Sequence, residues 1–186
     1  MALEIEAKFK VDSFEAVRRR LTELRGERIC AVLESNHIFD TQDRGLFARG
    51  CGLRIRTCAG QGRVPASTLT YKGPQTQSSL KSREELETHI DDADAARGIL
   101  AGLGFTPVLV FEKRREKWRL SDCTIELDEL PRLGCYVEIE GPTEQAVTSA
   151  QASLNLAHEQ AITTTYIALL IEHARANHLP ADHITF

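Results

Sequence analysis

Leu3-Glu4-Ile5-Glu6-Ala7-Lys8-Phe9 alternates apolar and charged side chains without a break. A period of two marks a β-strand, because successive side chains leave the backbone on opposite faces. Glu4, Glu6 and Lys8 therefore share one face, and Leu3, Ile5, Ala7 and Phe9 share the other. The pattern returns along the chain. Arg54 and Arg56 stand against Leu53 and Ile55, and Thr70 and Lys72 against Leu69 and Tyr71. Arg83, Glu85 and Glu87 stand against Leu86, Glu126 and Asp128 against Ile125 and Leu127, and Glu138 and Glu140 against Val137 and Ile139.

One such strand is an ordinary amphipathic strand with its polar face in water. The series is different, because its polar faces carry mostly fixed charge in like-signed pairs. Like charges two residues apart on a strand lie about 7 Å from each other, a spacing that is tolerable in water and costly once water is removed. Such pairs ask for a compensating ligand. Acidic pairs suit a divalent metal, and basic pairs suit phosphate oxygens, which arginine clamps with two donors.

Helical periodicity occupies the remaining segments. Phe14, Val17, Leu21 and Leu24 follow Asp12, with Glu15 placed to complete a capping box and Gly26 past the end. A second helix is expected from Asp92 through Ile99, Leu100 and Leu103 to Gly104. A third is expected from Thr143 with Val147, Ala150 and Leu154 on one side, and a C-terminal packing helix over about residues 159–176. Glycine and proline mark loops at 43–52, at 59–66 and from Gly73-Pro74 to Ser82. Helices with one apolar stripe must cover something, and the apolar strand faces are the available surface. The expected architecture is α+β: an inverted barrel, with apolar strand faces turned outward under helices and a charged interior.

Composition narrows the partners. The chain has 186 residues, with 27 Asp and Glu against 23 Lys and Arg. One domain over residues 1–186 is expected, with a barrel core at about 3–141 and C-terminal helices at about 143–177. The formal charge of −4 argues against a nucleic-acid or anionic-membrane binder. The five cysteines are odd in number and form no Cys-x-x-Cys pair, so they read as reduced thiols rather than a disulfide framework or zinc ribbon. The charged start Met-Ala-Leu-Glu-Ile-Glu is no signal peptide, and no run approaches a membrane span, so a cytoplasmic location is expected. The glycine loops do not match the P-loop pattern. The six histidines lack metal-ligand spacing, and Trp118 and Tyr136 read as packing residues.

In order, the chain shows Glu4-Ile5-Glu6-Ala7-Lys8, Asn36-His37-Ile38-Phe39-Asp40-Thr41, Gly52-Leu53-Arg54-Ile55-Arg56, Thr70-Tyr71-Lys72-Gly73 and Arg83-Glu84-Glu85-Leu86-Glu87. Lys113-Arg114-Arg115, Leu127-Asp128-Glu129 and Gly134-Cys135-Tyr136-Val137-Glu138-Ile139-Glu140 follow. This series resembles the CYTH superfamily of triphosphate tunnel enzymes, which includes class IV adenylyl cyclases, thiamine triphosphatases and inorganic triphosphatases. The resemblance covers about residues 3–141 and implies a closed eight-stranded antiparallel barrel, a tunnel that binds a triphosphate lengthwise.

The resemblance also implies roles. Lys8, Arg54, Arg56, Lys72, Arg83, Lys113 and Arg115 form the expected phosphate-binding set. The run from Glu112 to Lys117 is charged on both parities, so the resemblance alone selects Lys113 and Arg115 within it. Glu4, Glu6, Asp128, Glu138 and Glu140 form the expected set for Mg²⁺ or Mn²⁺, with Glu4, Glu6, Lys8 and Glu138 as the catalytic core. Glu85 and Glu87 either hold metal or orient the basic residues. Asp40 either faces the tunnel mouth or begins a turn, and Glu126 lies on the inward parity without an assigned role. The leading expectation is a metal-dependent triphosphatase acting on tripolyphosphate, thiamine triphosphate or ATP. The alternatives are a class IV adenylyl cyclase and a non-catalytic polyphosphate or nucleotide binder. A homodimer is compatible with the family and with the apolar C-terminal helix.

Overall fold

The computed structural model describes residues 2–60, 66–74 and 81–186, with the side chains of 2–4 and 81–83 outside that description. The chain runs β1 (Ala2–Val11), α1 (Glu15–Glu23), β2 (Glu27–Thr41), α2 (Gly45–Ala48), β3 (Gly52–Ala59), β4 (Ala66–Lys72) and β5 (Lys81–Ile90). It continues through α3 (Ala93–Gly102), β6 (Phe105–Leu120), β7 (Cys123–Leu130), β8 (Gly134–Gly141), α4 (Glu144–Ser153), α5 (Tyr166–Ala176) and β9 (His183–Ile184). The strands form one sheet in the order β2-β3-β4-β5-β1-β8-β7-β6-β9. A further ladder pairs β2 with β6, so each of β1 to β8 has a hydrogen-bonded neighbour on two sides. Those ladders are antiparallel, as expected. The two-residue β9, parallel to β6 at Val110 and Phe111, adds a ninth strand that the pattern did not foretell.

The apolar faces do turn outward under helices. Val17 and Leu21 of α1 and Val147 and Ala150 of α4 pack on Ala7 and Phe9 of β1, Ile125 and Leu127 of β7, and Val137 and Ile139 of β8. Leu100 of α3 covers Phe39 and Ile55. Opposite these, Glu6, Lys8, Glu34, Asn36, Thr68, Thr70, Lys113, Glu126, Asp128 and Glu138 are buried polar side chains on the other parity. At one end this inner face turns apolar. Asn36 gives way to Ile38, Lys113 to Phe111, Asp128 to Leu130 and Glu138 to Tyr136, and there Tyr166 and Leu170 of α5 pack against it.

The helix ends are partly as expected. Asp92 caps α3 by accepting from the Ala95 N–H, and Thr143 caps α4 by accepting from the Ala146 N–H. The capping box at Asp12 and Glu15 does not form, because α1 begins only at Glu15, with Phe14 at its N-cap and no side-chain hydrogen bond there. The C-terminal helix is shorter than expected. Residues 159–165 are not helical, since Ile162 N–H is held by the Lys8 carbonyl at 2.7 Å and the Thr165 side chain caps α5 by accepting from the Ala168 N–H. All five cysteines are free thiols. Among the described residues no helix is long and apolar enough to cross a membrane.

Candidate functional site

Register brings the inward charges together across strands. Lys8 of β1 lies opposite Glu138 of β8, Glu138 opposite Glu126 of β7, Asp128 of β7 opposite Arg115 of β6, and Lys113 of β6 opposite Glu34 of β2. On the other wall Arg56 lies between Asn36 and Thr68, and Arg54 pairs with Thr70.

Arg115 is the centre of the acidic wall. Its Nε and Nη2 donate to the two oxygens of Asp128 at 2.7 and 2.6 Å, and Nη2 also donates to Glu138 at 2.9 Å. It makes a close ion pair with Glu126 as well. This bidentate, charge-assisted geometry is the strong form of an arginine–carboxylate contact. Oxygens of Glu126, Asp128 and Glu138 all lie within 4.8 Å of one another. Three carboxylates so close suit a hard divalent cation such as Mg²⁺ or Mn²⁺, which takes oxygen ligands.

The electrostatics follow from burial and neighbours. Burial pushes the Glu126 carboxyl up to about 7, with Asp128 and Glu138 adding to the push and Arg115 and Lys113 opposing it. Burial and the nearby Glu6 would raise Glu138, but Lys8, Lys113 and Arg115 outweigh them and hold it below the usual carboxylate range. The Arg115 guanidinium is held well above its usual value, because its carboxylate partners outweigh the cost of burial.

The basic wall is held by other acids. Lys72 Nζ donates to Glu85 at 2.5 Å. Glu87 accepts from Thr70 at 2.7 Å and from Arg56 at 3.2 Å, and lies 3.8 Å from Arg54. Glu85 and Glu87 thus each contact basic residues of this wall. Lys8 Nζ is 3.4 Å from Glu138 and donates to the Thr164 carbonyl at 3.0 Å.

Other expected residues fall elsewhere. Asp40 takes the turn alternative: its carboxylate accepts from the backbone N–H groups of Thr41, Leu46 and Phe47, fixing the 41–47 turn. Burial works against its ionisation, yet those hydrogen bonds hold its carboxyl below the usual range. Glu6 is buried opposite Glu140 in register, but neither belongs to the carboxylate triad, and Glu140 is exposed. Glu126, without an expected role, does belong to it. The side chains of Glu4 and Arg83 lie outside the described residues, although their backbones pair.

Three contributors escaped the sequence reading. Glu34 sits 3.4 Å from Lys113, 3.6 Å from Arg56 and 3.8 Å from Arg115. Asn36 is fully buried beside it. The stretch Leu33-Glu34-Ser35-Asn36 lacks clean alternation, so its inward parity gave no signal. Tyr166, from the C-terminal segment, places its ring 4.0 Å from Lys8 Nζ and 5.2 Å from Lys113 Nζ.

Comparison with known proteins adds to this geometry. The family model described as CYTH domain matches residues 2–166. MJ0240 of Methanocaldococcus jannaschii, provisionally named an adenylate cyclase, is 32% identical over 138 residues, covering 74% of this chain and 76% of that protein. Adenylate cyclase CyaB of Aeromonas hydrophila is 29% identical over 140 residues, covering 73% of this chain and 67% of its own. Among solved structures, the PH1819 protein of Pyrococcus horikoshii superposes with a TM-score of 0.79 at 29% identity, over 91% of this chain and 98% of the other. HpAC1 of Hippeastrum, described as having a dominant triphosphatase activity, shares the fold with a TM-score of 0.68 at 19% identity, over 92% and 96%.

Proposed function

The chain belongs to the CYTH domain family, and from that premise we propose that it is a metal-dependent enzyme that hydrolyses inorganic or organic triphosphates inside a closed, charged tunnel of eight strands. The observation that carries this reading is Arg115. It pairs with Glu126, Asp128 and Glu138 and, through Glu34, is linked to Arg56 and Lys113 of the basic set. A triphosphate carries about four negative charges, and its cleavage depends mainly on positioning and charge neutralisation.

In this reading Arg54, Arg56, Lys72 and Lys113 bind the phosphate chain, and Lys8 and Arg115 face the reacting end. Glu126, Asp128 and Glu138 are the residues that would hold Mg²⁺ or Mn²⁺, with Glu4, Glu6 and Glu140 as the further expected ligands. Bound there, the cation would supply Lewis-acid neutralisation of phosphate oxygens. Water attacks the terminal phosphorus, the bridging P–O bond breaks with its oxygen departing on the diphosphate end of the substrate, and the attacked phosphoryl group becomes orthophosphate. The proton from water passes to a carboxylate of the triad, and the basic residues stabilise the charge that develops.

The relatives named as adenylate cyclases give a second reading. There the ribose 3′-hydroxyl of ATP attacks the α-phosphorus and pyrophosphate leaves. Incubating the purified protein with Mg²⁺ or Mn²⁺ and tripolyphosphate, thiamine triphosphate or ATP, and resolving the products, separates the two. Orthophosphate release is expected. Cyclic AMP with stoichiometric pyrophosphate would establish the cyclase reading instead, and binding without turnover would mark a non-catalytic binder. Glu6→Gln and Glu138→Gln are expected to abolish turnover, whereas Arg56→Ala mainly weakens triphosphate binding. Unchanged metal dependence and rate in both Gln variants would refute the assignment.

A further inference from the structure

Two of the lysines in the basic set meet one aromatic ring. Lys8 comes from β1 and Lys113 from β6, strands that are not neighbours in the sheet. Their ammonium groups lie 4.0 and 5.2 Å from the centroid of Tyr166. Both distances fall within the range over which a cation is attracted to the negative face of a ring. We propose that Tyr166, delivered by the C-terminal segment, is a positioning residue that seats the Lys8 and Lys113 ammonium groups for an anionic substrate. The inference rests on the triphosphate reading given above.

The segment that carries Tyr166 is built onto Lys8. The Ile162 N–H donates to the Lys8 carbonyl at 2.7 Å, and Lys8 Nζ donates to the Thr164 carbonyl at 3.0 Å. Thr165 then caps α5, which fixes Tyr166 as its first residue. The ring also makes an edge-on contact with Tyr136, at 5.3 Å between centroids. Backbone, side chain and ring thus converge on one lysine from a stretch of five residues, 162–166.

The chemistry of an aromatic seat differs from that of a carboxylate. Glu138, 3.4 Å from Lys8, and Asp128, 3.1 Å from Lys113, attract the ammonium groups but also cancel their charge. A neutral ring attracts a cation and leaves its full charge to act on a phosphate. Burial and the Asp128 and Glu138 carboxylates push the Tyr166 phenol well above its usual range, so the ring stays neutral.

The test is tripolyphosphate binding to the full chain, measured by titration calorimetry, which needs no turnover. Tyr166→Phe keeps the ring and is expected to bind within about twofold of the natural protein, whereas Tyr166→Leu is expected to raise Kd about tenfold. In a Lys8→Met background Tyr166→Leu is expected to have a much smaller effect, which a purely structural role would not produce. Should Tyr166→Leu fail to fold, the ring alone can be altered. Pentafluorophenylalanine at position 166 preserves shape but removes the negative face, and is expected to weaken binding several-fold relative to Tyr166→Phe. Equal affinity for the two rings would overturn the inference and leave the triphosphate reading standing. If the natural protein does not bind tripolyphosphate, both are overturned.

Discussion

Glu34 shows how a buried charge is stabilised here. Burial alone would raise its carboxyl, but Lys113, Arg115 and Arg56 together pull it down from 4.5 to about 2. The folded value lies below the unfolded one, so this stabilisation is complete above about pH 4.5 and is lost as pH falls toward 2. A shift of that size corresponds to about 3 kcal/mol. Glu34→Gln is therefore expected to flatten the loss of stability between pH 5 and pH 2, as read from urea unfolding at a series of pH values. A variant with the same acid limb as the natural protein would show that the three cations do not depend on Glu34.

At the scale of elements, the helices hold the apolar strand faces, and their ends obey local rules only where the chain geometry leaves room. Thr143 caps α4 from an extended backbone, and its hydroxyl accepts from the Ala146 N–H at 3.1 Å. Thr143→Ala is expected to cost about 1 kcal/mol, visible as a lower urea midpoint with an unchanged slope. Within α4, Val147 is fully buried against the outward faces of the strands, so a loosened cap remains anchored by packing. The segment before α5 follows another logic. Its residues 159–165 forgo helix for contacts with β1, which is what brings Tyr166 to the lysines.

Across the whole molecule, acids and bases from different strands are interdigitated so that most inward charges meet an opposite one. Arg115 carries the largest share, with the carboxylates of Glu34, Glu126, Asp128 and Glu138 around it. Removing one partner from a buried ion pair leaves an uncompensated charge, at a cost of about 3–5 kcal/mol. Arg115→Ala is expected to lower the thermal midpoint in the presence of a chelator. Mg²⁺ or Mn²⁺ is then expected to raise that midpoint by more than it does in the natural protein, because a ligand of the native state stabilises by mass action. A rise no larger than in the natural protein would argue against Glu126, Asp128 and Glu138 as a cation site.

For β1, β3, β4, β5, β7 and β8, strand identity and the division into charged and apolar faces were legible in the sequence, because alternation is a property of the local backbone and needs no knowledge of neighbours. Glu6, Lys8, Asp128 and Glu138 were readable as inward residues on that ground alone. Helix starts at Asp92 and Thr143 were readable for the same reason, since a cap is made within three residues. The run Glu112 to Lys117 was not, having charge on both parities; pairing with β2 and β7 is what turns Lys113 and Arg115 inward. Tertiary structure likewise decided that Arg115 meets carboxylates from both β7 and β8, that Asp40 closes a turn, and that Glu34 and Tyr166 join the site. Periodicity fixes which way a side chain points, whereas its partner depends on strand register, and register is settled only when the whole chain packs.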